Sequence, residues 1–268
     1  MKTRSVTEWL LTCPDPEEVE NLLLGLNFLN FAIESTDDGN FARVYTDDET
    51  IIDELCQRLG CELVQKRISQ ERDWFKYLQL KPFEIAPGIW IDPTHKLRKD
   101  AIIIKMKPSV AFGTGDHPTT KLVARLMYNY LKSGDRVLDV GCGTGILSIV
   151  AKKLGARKVI AVDNDPVAVE IASKFSRINR VKIEVKLSDL LENVDGKFDL
   201  IVANLTTDLV LKLLERIEKV MHNHSVVIVS GIFAIDTERV STFALQRGLK
   251  IDEEAELEGW KAFVMKKC

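Results

Sequence analysis

One stretch limits what this chain can become. Residues Arg136 to Asp163 begin with an apolar run, Val137-Leu138-Asp139-Val140, that drops into glycines at alternate positions, Gly141, Gly143 and Gly145. A helical pattern follows, and then a second β-branched run that ends on Asp163. The order is strand, tight turn, helix, strand, carboxylate. That layout places a nucleotide-type site at the edge of a parallel sheet. Glycines let the backbone turn sharply and let a ligand approach without a Cβ in the way. The helix start near Gly145 offers free N–H groups to an anion. An acid at the tip of the second strand can accept both hydroxyls of a ribose.

The spacing separates two cofactor classes. A dinucleotide fingerprint reads GxGxxG, whereas this turn reads GxGxG, with Asp139 two residues ahead of Gly141. That arrangement resembles the first motif of the Rossmann-like S-adenosylmethionine (SAM) methyltransferases. Asp163 stands roughly twenty residues beyond the turn, the offset at which a ribose-binding acid belongs.

Composition narrows the setting. The chain has 268 residues, 46% hydrophobic and 29% charged, enough for two domains or one large one. A net charge of -3 and a pI near 5.9 give no general pull toward nucleic acid or anionic membrane. No apolar stretch reaches about 18 residues, so no membrane span is expected. The first residues lack the apolar core and cleavage site of a secretory leader. Cys13, Cys56, Cys61, Cys142 and Cys268 form neither a CxxC pair nor a Cys/His zinc spacing. Reduced thiols in a cytoplasm fit that pattern, and no metal is expected. Cys142, inside the glycine turn, reads as a small packing residue rather than a nucleophile.

Taken in order, residues 1–69 read as a separate unit. Strand signals at Arg4–Leu11, Asn27–Ile33, Phe41–Tyr45 and Glu62–Ile68 alternate with helical ones at Glu17–Leu26 and Glu49–Leu59. The order β-α-β-β-α-β predicts a small ferredoxin-like α+β domain. It shows no aromatic-rich RNA signature, which favours protein contact. Residues 70–81, with Trp74, Phe75 and Tyr77, predict a linking helix whose aromatics pack on a domain. Residues 82–268 then alternate strands and helices, predicting a mostly parallel Rossmann-like sheet closed by an antiparallel hairpin. Helices are expected at Pro166–Ser176, Leu209–Val220 and Ile235–Gln246, and strands at Val181–Leu187, Phe198–Ala203 and Ser225–Ser230. Asp189 falls just past a strand, where an adenine amino group is expected. The loop at 108–120, PSVAFGTGDHPTT, precedes the glycine-turn strand and can fold over the cofactor mouth. In that reading Phe112 covers the adenine or methionine end and a threonine hydroxyl bonds the amino-acid part. The plainer reading is a flexible loop before an N-capped helix.

Four segments together resemble one family, the ribosomal protein L11 methyltransferases (PrmA). They are Ala111 to Thr120 (AFGTGDHPTT), Val137 to Leu147 (VLDVGCGTGIL), Val162 to Val169 (VDNDPVAV) and Val202 to Leu205 (VANL). The GTGDHPTT loop is the restrictive one, because the glycine turn is shared by a very large class. The resemblance implies a SAM domain behind a ferredoxin-like domain that holds the ribosomal protein. It implies cofactor contacts at Thr120, Gly141, Asp163 and Asn204, with Phe112, Gly143 and Asp189 beside them. It also implies a cytoplasmic enzyme, expected to be monomeric, that methylates lysine side chains or the N-terminal amine of ribosomal protein L11. Three departures stand out: Asp116 replaces a usual threonine, Leu-Thr-Thr-Asp follows Asn204, and 105–109 lacks the usual acid-Pro-Gly approach.

Within that reading Asn204 orients the acceptor amine. His117 either relays a proton or makes a structural bond in its loop. Asp116 either attracts an ammonium or is a solvated turn residue. Competing readings are a methyltransferase acting on another protein, RNA or a small molecule, and a SAM-binding protein without transfer. A nicotinamide dehydrogenase is opposed by the glycine spacing.

Overall fold

The computed structural model describes residues 5–26, 28, 31–36, 39–70, 81–106 and 115–268. The chain divides into two compact units, Met1–Leu80 and Lys81–Cys268. The expected linking helix at 70–81 lies outside the described residues apart from its two end positions.

The first unit runs β1 (Ser5–Thr12), α1 (Pro16–Gly25), β2 (Phe31–Thr36), β3 (Gly39–Tyr45), α2 (Glu49–Leu59) and β4 (Leu63–Gln70). Its four strands pair antiparallel in the order β2-β3-β1-β4. Alternation along β1 sends Trp9 and Leu11 to one face, where Val19 and Leu23 of α1 and Leu55 of α2 bury with them. Helix α2 is bounded by local chemistry. Asp48 accepts from the Thr50 N–H at its start, and Gly60, at φ 65°, ends it in the left-handed region. Strand β2 begins later than the sequence predicts. The Phe28 N–H donates back to the Leu23 carbonyl (2.8 Å), so Phe28 is tied to the end of α1 rather than to the strand.

The second unit opens with a small sheet of β5 (Phe83–Ala86), β6 (Ile89–Asp92) and β7 (Ile102–Lys105). The main elements follow: α3 (Pro118–Tyr130), β8 (Arg136–Val140), α4 (Ile146–Lys153), β9 (Lys158–Asp163), α5 (Pro166–Ile178), β10 (Glu184–Leu187) and β11 (Phe198–Asn204). After them come α6 (Thr207–Leu214), β12 (Met221–Phe233), α7 (Thr237–Gln246), β13 (Leu249–Leu257) and β14 (Trp260–Lys267). The seven strands lie in the order β10-β9-β8-β11-β12-β14-β13. β10 through β12 are parallel, and β14 and β13 close the sheet antiparallel.

Both faces of this sheet are covered. On one, Val137, Val202, Ile228 and Val264 pack with Leu122 and Leu126 of α3 and Ile149 of α4. On the other, Leu138, Ile201, Val227 and Phe263 pack with Val210 and Leu213 of α6 and Val240 of α7. Two covered faces explain why the strands read as near-continuous apolar runs. The chain winds outward from β8 to β10, then returns to β11 on the other side of β8. That reversal leaves a crevice at the carboxyl ends of β8 and β11, the place where such sheets hold ligands.

Several boundaries differ from expectation. The strand expected from Val181 begins at Glu184, and the helix expected from Ile235 begins at Thr237, after a 3-10 turn over Ala234–Asp236. The helix expected over Leu209–Val220 ends at Leu214, and Ile217–Val220 forms a separate 3-10 turn. Ile217 and Val220 are both buried, so packing of these two side chains replaces the regular helix. Strand β12 runs from Met221 to Phe233 rather than Ser225 to Ser230. Its polar start is held from β11, where Asp199 Oδ1 lies 2.7 Å from His222 Nε2.

Candidate active site

The glycine turn is bolted to the strand beside it. The N–H groups of Gly141 and Cys142 both donate to the Val162 carbonyl, at 2.8 and 3.0 Å. Gly141 sits at φ 70°, and a Cβ there would meet Leu205 Cδ2 at 2.3 Å. The turn therefore presses against the first residue after β11 and closes the two halves of the crevice together. Gly145 precedes α4 and offers no side chain to cap it, so the helix N-terminus is available to an anionic group.

Asp163, at the end of β9, is half-buried and fixed from two sides. Oδ2 accepts the Gly143 N–H at 2.8 Å, and Oδ1 accepts the Asp165 N–H at 3.0 Å. A carboxylate oxygen accepts more than one hydrogen bond, so this pre-aimed group keeps capacity for ligand hydroxyls. Asp189 lies next door and is exposed. The Ser188 N–H donates to the Asp163 carbonyl (2.8 Å), which joins the end of β10 to the end of β9.

Across the crevice, Asn204 ends β11 and Thr120 stands in the first turn of α3. Asn204 Nδ2 donates to Thr120 Oγ1 at 3.3 Å, across 84 residues of sequence. Thr120 is buried and Asn204 half-buried. With Nδ2 engaged, the amide Oδ1 is the end that can accept an N–H from a substrate. Behind Asn204 the backbone is crowded. A Cβ on Gly231 would lie 2.1 Å from the Leu205 carbonyl oxygen, and Gly231 sits at φ 86°. Only glycine tolerates both conditions.

The remaining expected residues fall as follows. His117 is the N-cap of α3; its Nδ1 lies 2.8 Å from Thr119 Oγ1, and its ring meets Trp260 edge-on at 4.9 Å. Burial lowers its pKa, with Glu258 opposing, which suits a neutral imidazole in a structural role. Asp116 pairs with Lys121 at 2.7 Å and is otherwise open to solvent. Cys142 is buried, and burial first, then Asp139, pushes its thiol pKa well up, so it is not a nucleophile. Phe112 lies outside the described residues.

Asp139 emerges from the structure with a larger part than its place in the glycine motif suggests. It is 1% exposed; Oδ2 lies 2.6 Å from Ser148 Oγ, and Oδ1 has no hydrogen-bond partner among the described residues. Burial pushes its pKa up to about 7, against the hydrogen bonds from Ser148. The only sequence signal was an acid in an otherwise apolar strand.

The site thus offers a carboxylate for a diol, an uncapped helix start for an acid, and an amide–hydroxyl pair facing both across the crevice. That donor set fits a nucleoside joined to an amino acid.

Comparison with known proteins agrees. The sequence model of the family described as ribosomal protein L11 methyltransferase (PrmA) matches residues 35–268. The ribosomal protein L11 methyltransferase of Thermotoga maritima is 43% identical over 255 residues, covering 94% of this chain and 95% of that protein. That of Dictyoglomus thermophilum is 36% identical over 242 residues, covering 84% of this chain and 80% of that protein. The crystal structure of a ribosomal protein L11 methylase from Lactobacillus delbrueckii subsp. bulgaricus aligns with a TM-score of 0.65 at 30% identity, covering 69% of this chain and 98% of that one. A 16S rRNA methyltransferase of T. thermophilus (RsmC) shares the fold alone, at TM-score 0.51 and 19% identity, covering 59% of this chain and 45% of that one.

Proposed function

The chain belongs to the ribosomal protein L11 methyltransferase (PrmA) family, and on that premise we propose that it transfers methyl groups from SAM to amino groups of ribosomal protein L11. The acceptors are lysine side chains, the N-terminal amine, or both. The first unit acts as a ferredoxin-like recognition domain for the ribosomal protein, residues 70–81 link it to the transferase domain, and the enzyme works as a cytoplasmic monomer.

Bound SAM supplies a methyl group on a positively charged sulfur, an electrophile an amine can attack in line. Asp163 would accept the ribose hydroxyls, and Asp189 would stand near the adenine. Gly141, Gly143 and the start of α4 would line the turn against the amino-acid end, with Thr120 and Asn204 opposite and Phe112 as a further cofactor contact.

The acceptor must lose a proton before it reacts. A lysine with pKa ~10.4 requires roughly 4–5 kcal/mol for that at pH 7. Apolar neighbours such as Leu205 disfavour the ammonium form and reduce the requirement. Asn204 Oδ1 accepts an N–H of the amine and aims its lone pair, which is orientation rather than base catalysis. The observation that carries this reading is the Asn204–Thr120 bond, which fixes the amide across the crevice from Asp163.

The test is transfer of labelled methyl from SAM into purified ribosomal protein L11, followed by peptide mass spectrometry. Label on lysines or the N-terminal amine is the expected result. SAM binding without label in L11 would overturn the proposed acceptor.

A further inference from the structure

The acceptor side of the crevice continues into an exposed apolar ledge that the transfer chemistry does not use. Phe233, the last residue of β12, is 48% exposed, and Ile235, two residues beyond it, is 91% exposed. An isoleucine so far out of the fold contributes nothing to packing. Exposed apolar groups that gather into a patch mark contact surfaces, and Ile235 opens onto a groove that Phe243 also lines.

This ledge is held rigidly. Phe233 stacks on Trp260 with ring centroids 3.9 Å apart. One residue past Ile235, Asp236 Oδ2 accepts the Thr207 hydroxyl at 2.8 Å, just after the Asn204 strand. Gly231 presses on the Leu205 carbonyl from the same side. The ledge is therefore fixed to the segment that carries Asn204. From Ile235 a shallow groove of about 550 Å³ runs along α7 toward Gln246, with Phe243 in its lining.

The surroundings are acidic. Arg239 contacts both Asp208 (2.7 Å) and Asp236 (3.9 Å), and Lys261 contacts both Glu254 (2.6 Å) and Glu256 (2.7 Å). Each of these two cations thus meets two carboxylates, and exposed Glu238 and Glu258 add to the surplus, which Arg247, over the Phe243 ring at 4.9 Å, offsets in part. An apolar strip inside a negative field complements a peptide with aliphatic side chains among lysines.

We propose that Phe233, Ile235 and the α7 groove dock the stretch of the acceptor protein flanking the methylated amine, and that they select a basic, lysine-bearing segment. This rests on the acceptor reading above and adds a second contact, in the transferase domain, to recognition by the first unit.

The experiment compares wild type with Ile235→Lys and Ile235→Glu in steady-state methyl transfer to purified ribosomal protein L11, with SAM affinity measured by calorimetry. Ile235 is almost fully exposed, so neither variant disturbs the core. Ile235→Lys is expected to raise KM for the protein at least tenfold, with kcat at saturating acceptor and SAM affinity both within twofold. Ile235→Glu, which loses the apolar contact but adds attraction, is expected to raise KM less than threefold. An unchanged KM in both variants overturns the proposal, and so does an equal rise, which would show contact without charge selection. So does sedimentation showing that wild type pairs with itself through this ledge and the lysine variant does not. If wild type places no label in the ribosomal protein, the acceptor reading fails and this inference falls with it. If wild type does label it and the variants behave alike, only the ledge is wrong.

Discussion

The two sides of the crevice are built by different means. The β8–β9–β10 side is local and made largely of backbone. Its turn, helix start and carboxylate come from Asp139 to Asp163, and hydrogen bonds from Gly141, Cys142 and Gly143 to β9 hold them. The β11–β12–β14 side is assembled from distant side chains, Thr120, Asn204, Phe233 and Trp260, joined by one amide–hydroxyl bond and ring contacts. The first side suits a ligand of constant shape. The second can change with the acceptor while the first stays as it is, which is how one fold hosts many methyl acceptors.

If the division is real, variants on the two sides fail differently. Asn204→Ala is expected to slow single-turnover transfer by about 100-fold, with SAM affinity by calorimetry within threefold. Equal loss of both would merge the two sides. Asp163→Ala is expected to weaken SAM binding by 10-fold to 100-fold, about 1.4–2.7 kcal/mol, because ribose contacts and the grip on the Gly143 N–H disappear together. Much of its transfer rate should return at saturating SAM. A rate that stays low would show that Asp163 also shapes the acceptor side.

A third effect belongs to the cofactor side alone. The Asp139 pKa is about 7 in the fold against 3.8 when exposed. The native state therefore binds a proton that the unfolded chain has released, and this contribution to stability fades as pH rises from about 4 through 7. Urea unfolding should show lower stability at pH 8 than at pH 5, with a smaller difference in Asp139→Asn. An identical pH dependence in the variant would mean other groups carry it. The smallest effect is expected at Cys142→Ser. A thiol this buried and this far above its ordinary pKa does no chemistry, so transfer should stay within twofold of wild type. A large drop would put a side chain where only backbone was assigned.

The same division explains what could be read from the chain. The glycine turn, its helix and Asp163 were legible because three successive elements encode them with glycine placement and apolar period. The β-α alternation of the second unit was legible for the same reason. Less legible was the extent of β12, whose polar first turn, His222-Asn223-His224, looks like a loop until Asp199 on the neighbouring strand is seen to hold it. The break after α6 was also hidden, since Leu209–Val220 keeps a helical pattern and only the burial of Ile217 and Val220 shows why it ends early. Thr120 and Asn204 are marked only by family resemblance. Nothing in either local sequence points to the other.

By itself the sequence determined a SAM-type turn on a parallel sheet, because strand period, glycine spacing and a terminal acid are properties of neighbouring residues. Only the tertiary structure decided which amide faces that turn, that Asp139 is buried with one oxygen unpartnered among the described residues, and that Phe233 and Ile235 stand exposed just past the Asn204 side of the sheet. Those outcomes depend on how β8, β11, β12 and β14 lie side by side. That order follows from burying two faces of one sheet, a constraint on the whole unit that no single stretch of chain contains.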